Sequence, residues 1–336
     1  MLSSLPILPA ADYRIPQWNA LSETPRACPF CGTYSAPLFL RPDRLPIARC
    51  ATCSCYYVAV ALGEETLTTF YARYWQDTCP RHLTAELARY LKYSARARLL
   101  SDPCLLKATA LLGTWDGKKV LDVGCGFGEK ASIMQGLGAQ VNGIDISESA
   151  VAFCKDLLGI QTAVLRPEQV HDIETYDVVT MFEFCEHPLN PLAAIRSVMG
   201  ALRNGGYLIL VTPNGTAGDA VDIQGGHEWL GFRVDLEHMQ YLHVDTIAFL
   251  AQRLRCRVVH LEQFGYRTLG EIRSGPPKRA LSHYLTLKRH LKGIPGVRKS
   301  VYWYRNVQAR MRSSVSPSHK SGTYHLFAVL QKVGQT

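Results

Sequence analysis

No stretch of this 336-residue chain stays apolar for the ~18 residues that a helix needs to cross a bilayer. The N-terminus, Met1-Leu-Ser-Ser-Leu-Pro6, lacks a basic segment followed by an apolar one, so no secretory leader is read there. These two absences predict a cytoplasmic protein among reduced thiols. No internal repeat is visible, which excludes solenoids and propellers. Charged residues make up only 19%, and acids are the scarcer sign: 28 Asp and Glu against 37 Lys and Arg, for a net charge of +9. An apolar content of 47% with that charge describes a globular chain. The cysteines number 11, an odd count, and most stand alone, which argues against a disulfide framework.

Four cysteines do not stand alone. Cys28-Pro-Phe-Cys31 and Cys50-Ala-Thr-Cys53 are two C-x-x-C hooks, each able to offer two thiolates to one tetrahedral ion. The spacing reads as structural zinc held by Cys28, Cys31, Cys50 and Cys53, with Gly32 suited to the tight turn and Cys55 as a spare thiol. Short apolar runs surround the hooks, at Pro37-Leu-Phe-Leu40 and Tyr56-Tyr-Val-Ala-Val60. A module this small needs such a staple. Residues 1–60 are therefore expected to be a Pro-rich lead-in and a zinc ribbon.

Residues 61–117 turn helical. Leu67, Phe70, Tyr71 and Tyr74 recur at helical spacing, as do Leu87, Tyr90, Leu91 and Tyr93. Such helices are either plain core or the roof of a pocket in the downstream domain. From Lys118 onward, apolar strand runs alternate with helical segments. Strands are expected at Lys119–Val123, Gln140–Asp145, Thr162–Leu165, Tyr176–Phe182, Tyr207–Thr212, Cys256–Leu261 and Tyr324–Leu330. Ser147 is placed to cap the helix over 148–158, and Asn204-Gly-Gly206 to end the helix over 191–202. This alternation predicts an α/β fold, a mostly parallel sheet covered on both faces. A basic insertion over about 270–320 interrupts it.

Asp122-Val-Gly124-Cys125-Gly126-Phe-Gly128 follows the first of these strands and opens a helix. Glycines there let the backbone turn sharply beneath a ligand. Asp145 ends the next strand, where a carboxylate can accept both hydroxyls of a ribose. The G-x-G-x-x-G spacing of nicotinamide dehydrogenases is absent, because Glu129 stands at its third glycine.

With acid, three glycines, helix, strand and Asp145 in that order, the chain resembles class I S-adenosylmethionine-dependent methyltransferases. The match runs from about 118 to 265 and onward to about 330. The resemblance implies a seven-stranded Rossmann-like sheet over 118–336 and S-adenosylmethionine as cofactor. It further implies that Asp122 lies near the methionine amino group and that Gly124, Cys125, Gly126 and Gly128 form the loop beneath the cofactor. Asp145 would hold the ribose, with Ile146 on the adenine. Glu168, Gln169 and Phe182 join the cofactor residues, although the expected acid–aromatic pair is not clear at 168–169.

The fourth strand runs into Glu183-Phe-Cys-Glu186-His187, and Glu237-His238 follows later. This E-x-x-E-H spacing resembles ubiquinone-biosynthesis O-methyltransferases and small-RNA 2′-O-methyltransferases. There, residues in these positions hold a divalent metal beside the acceptor oxygen. The resemblance implies Glu183, Glu186, His187 and His238 as catalytic residues, either as ligands of a second divalent metal or with a histidine as base. A hydroxyl on a small metabolite, sugar or lipid-linked intermediate is the expected acceptor. The basic tract, Lys278 to Lys320, suits an anionic acceptor or peripheral membrane contact. RNA modification or binding ranks behind, because the ribbon carries few basic residues. A non-catalytic cofactor-binding scaffold is the other alternative.

Overall fold

A computed structural model describes residues 5–8, 18, 24–78, 93–220, 231–233, 236–264 and 324–334. The basic insertion and the pattern at Leu87, Tyr90 and Leu91 lie outside these residues.

Near the N-terminus, β1 (Pro37–Leu40), β2 (Pro46–Arg49) and β3 (Tyr56–Val58) form an antiparallel meander. Helices α1 (Glu64–Thr78), α2 (Ala95–Leu99) and α3 (Pro103–Leu112) follow. Then β4 (Lys119–Val123), α4 (Glu129–Gly136), β5 (Gln140–Asp145), α5 (Glu148–Leu158) and β6 (Gln161–Val164) build one half of the main sheet. The other half holds β7 (Tyr176–Phe182), α6 (Pro191–Ala201), β8 (Leu202–Pro213), α7 (Val244–Arg253), β10 (Cys256–Phe264) and β11 (His325–Lys332). A two-residue strand, β9 (Gln240–Tyr241), precedes α7.

The seven strands run in the order β10-β11-β8-β7-β4-β5-β6. The pairs from β8 to β6 are parallel, while β11 is antiparallel to both neighbours. The chain leaves β4 toward β5 and returns to β7 on its other side. The sheet therefore switches direction between β4 and β7, the place where open α/β sheets bind ligands.

The strands read as continuous apolar runs because both faces are covered. Leu121, Val123, Val179 and Met181 point into one core with Ile195, Val198 and Leu250. Val120, Val178 and Ile209 alternate into the other with Leu105, Trp115, Ile133 and Met134. Truncating a fully buried member such as Leu121 to alanine costs about 2–5 kcal/mol. Local chemistry sets the helix starts. Ser147 Oγ accepts from Ala150 N at 3.4 Å, as its position predicted, and Asn190 Oδ1 accepts from Ala193 N at 3.1 Å ahead of Pro191. The turn expected at Asn204–Gly206 survives as an irregularity within β8. Tyr176 pairs with Leu202 but Val178 pairs with Tyr207, and Gly205 takes φ 77° in between.

The ribbon does not stand apart. β9 pairs with β3, so the second sheet runs β1-β2-β3-β9 and takes its last strand from beyond β8. Cys28, Phe30, Cys50, Cys53 and Tyr57 belong to the same core as Leu121 and Met181.

Candidate functional site

A cavity of about 1280 Å³ opens at the switch point. The glycine loop forms its floor. Gly124 N and Cys125 N both donate to Ile144 O, at 2.8 and 3.1 Å, which pins the loop to the end of β5. Gly126 N then donates to Asp145 Oδ2 at 2.9 Å, and Ser147 N donates to Oδ1 at 2.9 Å. Asp145 is thereby fixed in direction, and each oxygen keeps a lone pair for a ligand. Asp122 is buried under the loop and accepts from Thr180 Oγ1 at 2.6 Å; burial pushes its pKa up to about 6.

Of the expected cofactor residues, Asp122, Gly124, Cys125, Gly126, Asp145, Ile146, Glu168, Gln169 and Phe182 all line this cavity. Gly128 does not. It sits at φ 70° at the start of α4, where a Cβ would come within 2.7 Å of Cys154 Sγ, so its smallness serves helix packing. Leu67, Thr68 and Tyr71 line the cavity from α1, so α1 is a roof. Arg166 Nη2 donates to Thr68 Oγ1 at 2.8 Å and ties that roof to the rim.

Past Phe182 the cavity wall turns polar. Glu183 follows β7 with φ 50°, a left-handed position that a side chain rarely adopts without a local demand. Its side chain is 41% exposed to the cavity, and partial desolvation by the surrounding wall raises its pKa. Glu186 is fully buried. Burial and the nearby charge of Glu183 raise it well above the ordinary carboxyl range. Glu186 Oε2 accepts from Thr212 Oγ1 at 3.0 Å, whereas Oε1 is buried with no protein partner.

Tyr71 anchors the His187 ring. The Tyr71 hydroxyl lies 2.9 Å from Glu237 O and 2.6 Å from His187 Nδ1. One hydroxyl has one proton, so it serves either the Glu237 carbonyl or His187 Nδ1, and the tautomer of His187 decides which. His187 Nε2 lies 3.9 Å from Glu186 Oε1. The His238 ring packs edge-on to His187 with centroids 4.9 Å apart, and its buried Nδ1 is also unpartnered. Burial holds His187 near about 4 and His238 well below the ordinary range, so both rings are neutral at pH 7.

Donor atoms of Glu186, His187 and His238 all lie within 4.8 Å of one another. Two neutral imidazoles and a carboxylate with orphaned atoms fit a divalent cation. Glu183 falls outside that trio; its Oε1 lies 3.5 Å from His325 Nε2 on β11.

The four cysteine donors also meet within 4.8 Å, with Cys28 and Cys53 sulfurs 3.5 Å apart and Cys31 and Cys50 sulfurs 3.2 Å apart. The two hooks repeat one geometry. Gly32 N donates to Cys28 O and Ser54 N to Cys50 O, while Cys28 N donates to Thr33 O and Cys50 N to Cys55 O. Gly32 and Ser54 both take positive φ, at 80° and 60°. Convergent thiols on paired knuckles fit a tetrahedral zinc ion. Cys55 lies outside the four-sulfur set, and its thiol is shared between Tyr56 O and Tyr241 O at 3.3 and 3.5 Å.

Sheet order, glycine floor and an acid at the end of β5 together define the class I S-adenosylmethionine-dependent methyltransferase architecture. Residues 80–261, more than half of the chain, match the family described as methyltransferase domain, and the chain belongs to that family. Similar curated proteins include the ubiquinone biosynthesis O-methyltransferase of Bordetella bronchiseptica, 36% identical over 110 residues, covering 30% of this chain and 45% of the relative. That of Burkholderia vietnamiensis is 26% identical over 166 residues, covering 46% and 71%. The chain thus spans about half the length of the first of these relatives. Among solved structures, a putative methyltransferase from Bacillus halodurans is 16% identical over 68% of this chain and 98% of its own, with a TM-score of 0.47.

Sequence reasoning missed several cavity residues. Lys130 reaches over the Phe182 ring at 5.4 Å and pairs with Asp102 at 2.8 Å. Phe184, Leu165 and Arg166 line the wall. Tyr71 was visible only as part of a helical stripe, and nothing in the sequence pointed it at His187. His325 follows a long basic stretch and had no local motif.

Proposed function

We propose that the chain transfers a methyl group from S-adenosylmethionine to a hydroxyl oxygen of a small acceptor. The observation that carries this reading is the placement of neutral His187 at the same cavity end as Phe182 and Glu183, away from Asp145. S-adenosylmethionine, when bound, supplies an electrophilic methyl on a sulfonium. Asp145 would accept from the ribose hydroxyls and the Asp122 carboxylate from the methionine amino group, and Ile146, Leu165, Glu168 and Gln169 are the cavity residues that would take the adenine.

An acceptor hydroxyl at His187 gives its proton to Nε2 as its oxygen takes the methyl. This route requires the tautomer in which His187 Nδ1–H donates to the Tyr71 oxygen while Tyr71 donates to Glu237 O, leaving Nε2 free. α1 closes over the cavity and excludes water, which would compete as acceptor. The likeness to ubiquinone-biosynthesis O-methyltransferases supports oxygen as the accepting atom.

A second reading is favoured by the orphaned atoms of Glu186 and His238. Glu186, His187 and His238 would then hold a divalent cation that polarises the acceptor oxygen. His187 Nε2 would be occupied as a ligand, and Glu183, its pKa raised, would take the proton. The hooks at Cys28, Cys31, Cys50 and Cys53 would hold zinc in a purely structural role. The acceptor is a metabolite, sugar or lipid-linked intermediate; its anionic character and any membrane contact belong to the basic tract.

The deciding experiment incubates the protein with labelled S-adenosylmethionine and metabolite or lipid extracts, then identifies the labelled product. A methyl ether supports the reading; a methyl ester, label on nitrogen or carbon, or none at all, rejects it. Repeating the assay after chelation that leaves the zinc content intact separates the two routes for the proton.

A further inference from the structure

Arg41 follows β1 in the ribbon and is fully buried, although it does not line the cavity. A buried guanidinium is costly unless its donors are satisfied. Here every donor has a partner. Nε and Nη2 hold the Asp43 carboxylate at 3.1 and 2.6 Å. Nη2 also donates to Leu236 O at 2.6 Å, while Nη1 donates to His238 O and to the Tyr241 hydroxyl. The fork therefore grips the main chain on both sides of residue 237.

The same segment is held from other directions. Val58 N donates to Met239 O at 2.9 Å, next to the β3–β9 pairing. Arg26 Nη1 donates to Met239 O at 3.2 Å and Nη2 to Leu189 O at 2.7 Å. On the far side, Met239 N donates to Glu186 O at 2.7 Å, and Gln240 Nε2 donates to Cys185 O and Pro188 O at 2.7 Å each. Residues 236–241 are thus a bridge between the ribbon and the loop that carries Glu186 and His187.

We infer that Arg41 is a positioning residue for His238, acting through the Leu236 and His238 carbonyls, and that the ribbon is part of the acceptor end of the site. The planar fork explains why arginine stands here. An ammonium can reach one or two of these acceptors but cannot hold the carboxylate, two carbonyls and a hydroxyl at once. Pairing with Asp43 keeps the fork in one orientation, so the carbonyls it holds are fixed too. The His238 ring then stands against His187 because its backbone cannot slide along the ribbon.

The test uses the full-length, zinc-loaded protein with labelled histidine, and Arg41→Met and Arg41→Lys variants. It reads the nuclear Overhauser contact between the His187 and His238 ring protons, together with zinc content and affinity for S-adenosylhomocysteine. Arg41→Met should lose the ring contact while zinc stays stoichiometric and cofactor affinity holds within about twofold, as for sites without shared partners. Arg41→Lys, which keeps a charge against Asp43, should weaken the contact and shift the His238 resonances. If Arg41→Met does not fold, Arg41→Lys alone decides. Unchanged His238 signals in the variant that folds overturn the inference. So does loss of the contact together with zinc and cofactor binding, which would make Arg41 a residue of the fold alone. The readout needs no methyl transfer, so it stands apart from the fate of the proposed reaction.

Discussion

The two ends of the cavity are built differently. The cofactor end comes from short consecutive pieces: Asp122 to Gly126, Asp145 and Ile146, and a turn at Glu168 and Gln169. Its key contacts are backbone ones, such as Gly126 N to Asp145. The proposed acceptor end is lined by Tyr71, Glu183 and His187, with buried Glu186 and His238 packed behind His187, and Arg41 grips the His238 carbonyl from the ribbon. A site written in one stretch depends on that stretch folding. A site collected from distant segments depends on every packing contact between them, so damage far away should reach it first.

Removing zinc should separate the two ends most strongly. Structural zinc contributes apparent binding energies of about 10–16 kcal/mol in zinc-finger peptides, and a zinc held by the four cysteines, as proposed, would lend support of that kind. Cys28→Ser with Cys53→Ser should abolish methyl transfer and, because these cysteines share a core with Leu121 and Met181, weaken S-adenosylhomocysteine binding by calorimetry to a lesser degree. Equal loss at both ends would erase the contrast between them. Next in size is His187→Ala, expected to lower kcat by about 10²–10⁴ with cofactor affinity unchanged, since it removes only proton transfer or ligation.

At the cofactor end, Asp145→Ala should weaken S-adenosylhomocysteine binding by about 1.5–3 kcal/mol, the loss expected for a charged hydrogen-bonding partner. Gly128→Ala should cost about 1–3 kcal/mol of stability in denaturant titration, because it combines φ 70° with a close approach to Cys154. Cofactor affinity should be nearly spared, since Gly128 does not line the cavity. The smallest effect is a pH dependence. The Asp122 carboxyl, raised to about 6 by burial, becomes neutral as pH falls through that value. Affinity should then drop by up to about tenfold per pH unit on the acid side. Asp122→Asn should flatten that slope; a slope that persists in this variant assigns it to another group.

The same contrast explains what could be read in the sequence. The glycine loop, Asp145 and the paired hooks are local patterns, so their spacing carries their chemistry. Strand runs such as Tyr176–Phe182 were plain because both faces are buried. β9 was illegible: two residues, Gln240 and Tyr241, have no periodicity of their own. β2 begins at Pro46, which argues against a strand from sequence alone, and it is held by its partners Phe39, Leu40 and Tyr56 to Val58. His187 and His238 were identified by motif, but their anchoring and mutual packing depend on Tyr71 and Arg41, more than a hundred residues away in the chain. Charge and helical stripes cannot report such partners. The histidine on β11 opposite Glu183 was missed for the same reason.

The shared strand also bears on heredity. Because β9 completes the ribbon's sheet from within the methyltransferase fold, the two parts cannot be exchanged by simple recombination at their boundary. A ribbon grafted onto a related catalytic domain would arrive without its fourth strand and without the carbonyls that Arg41 grips. Substitutions at Tyr56, Tyr57, Gln240 and Tyr241 should therefore be inherited as linked sets, so that this pair of modules evolves as one gene segment would.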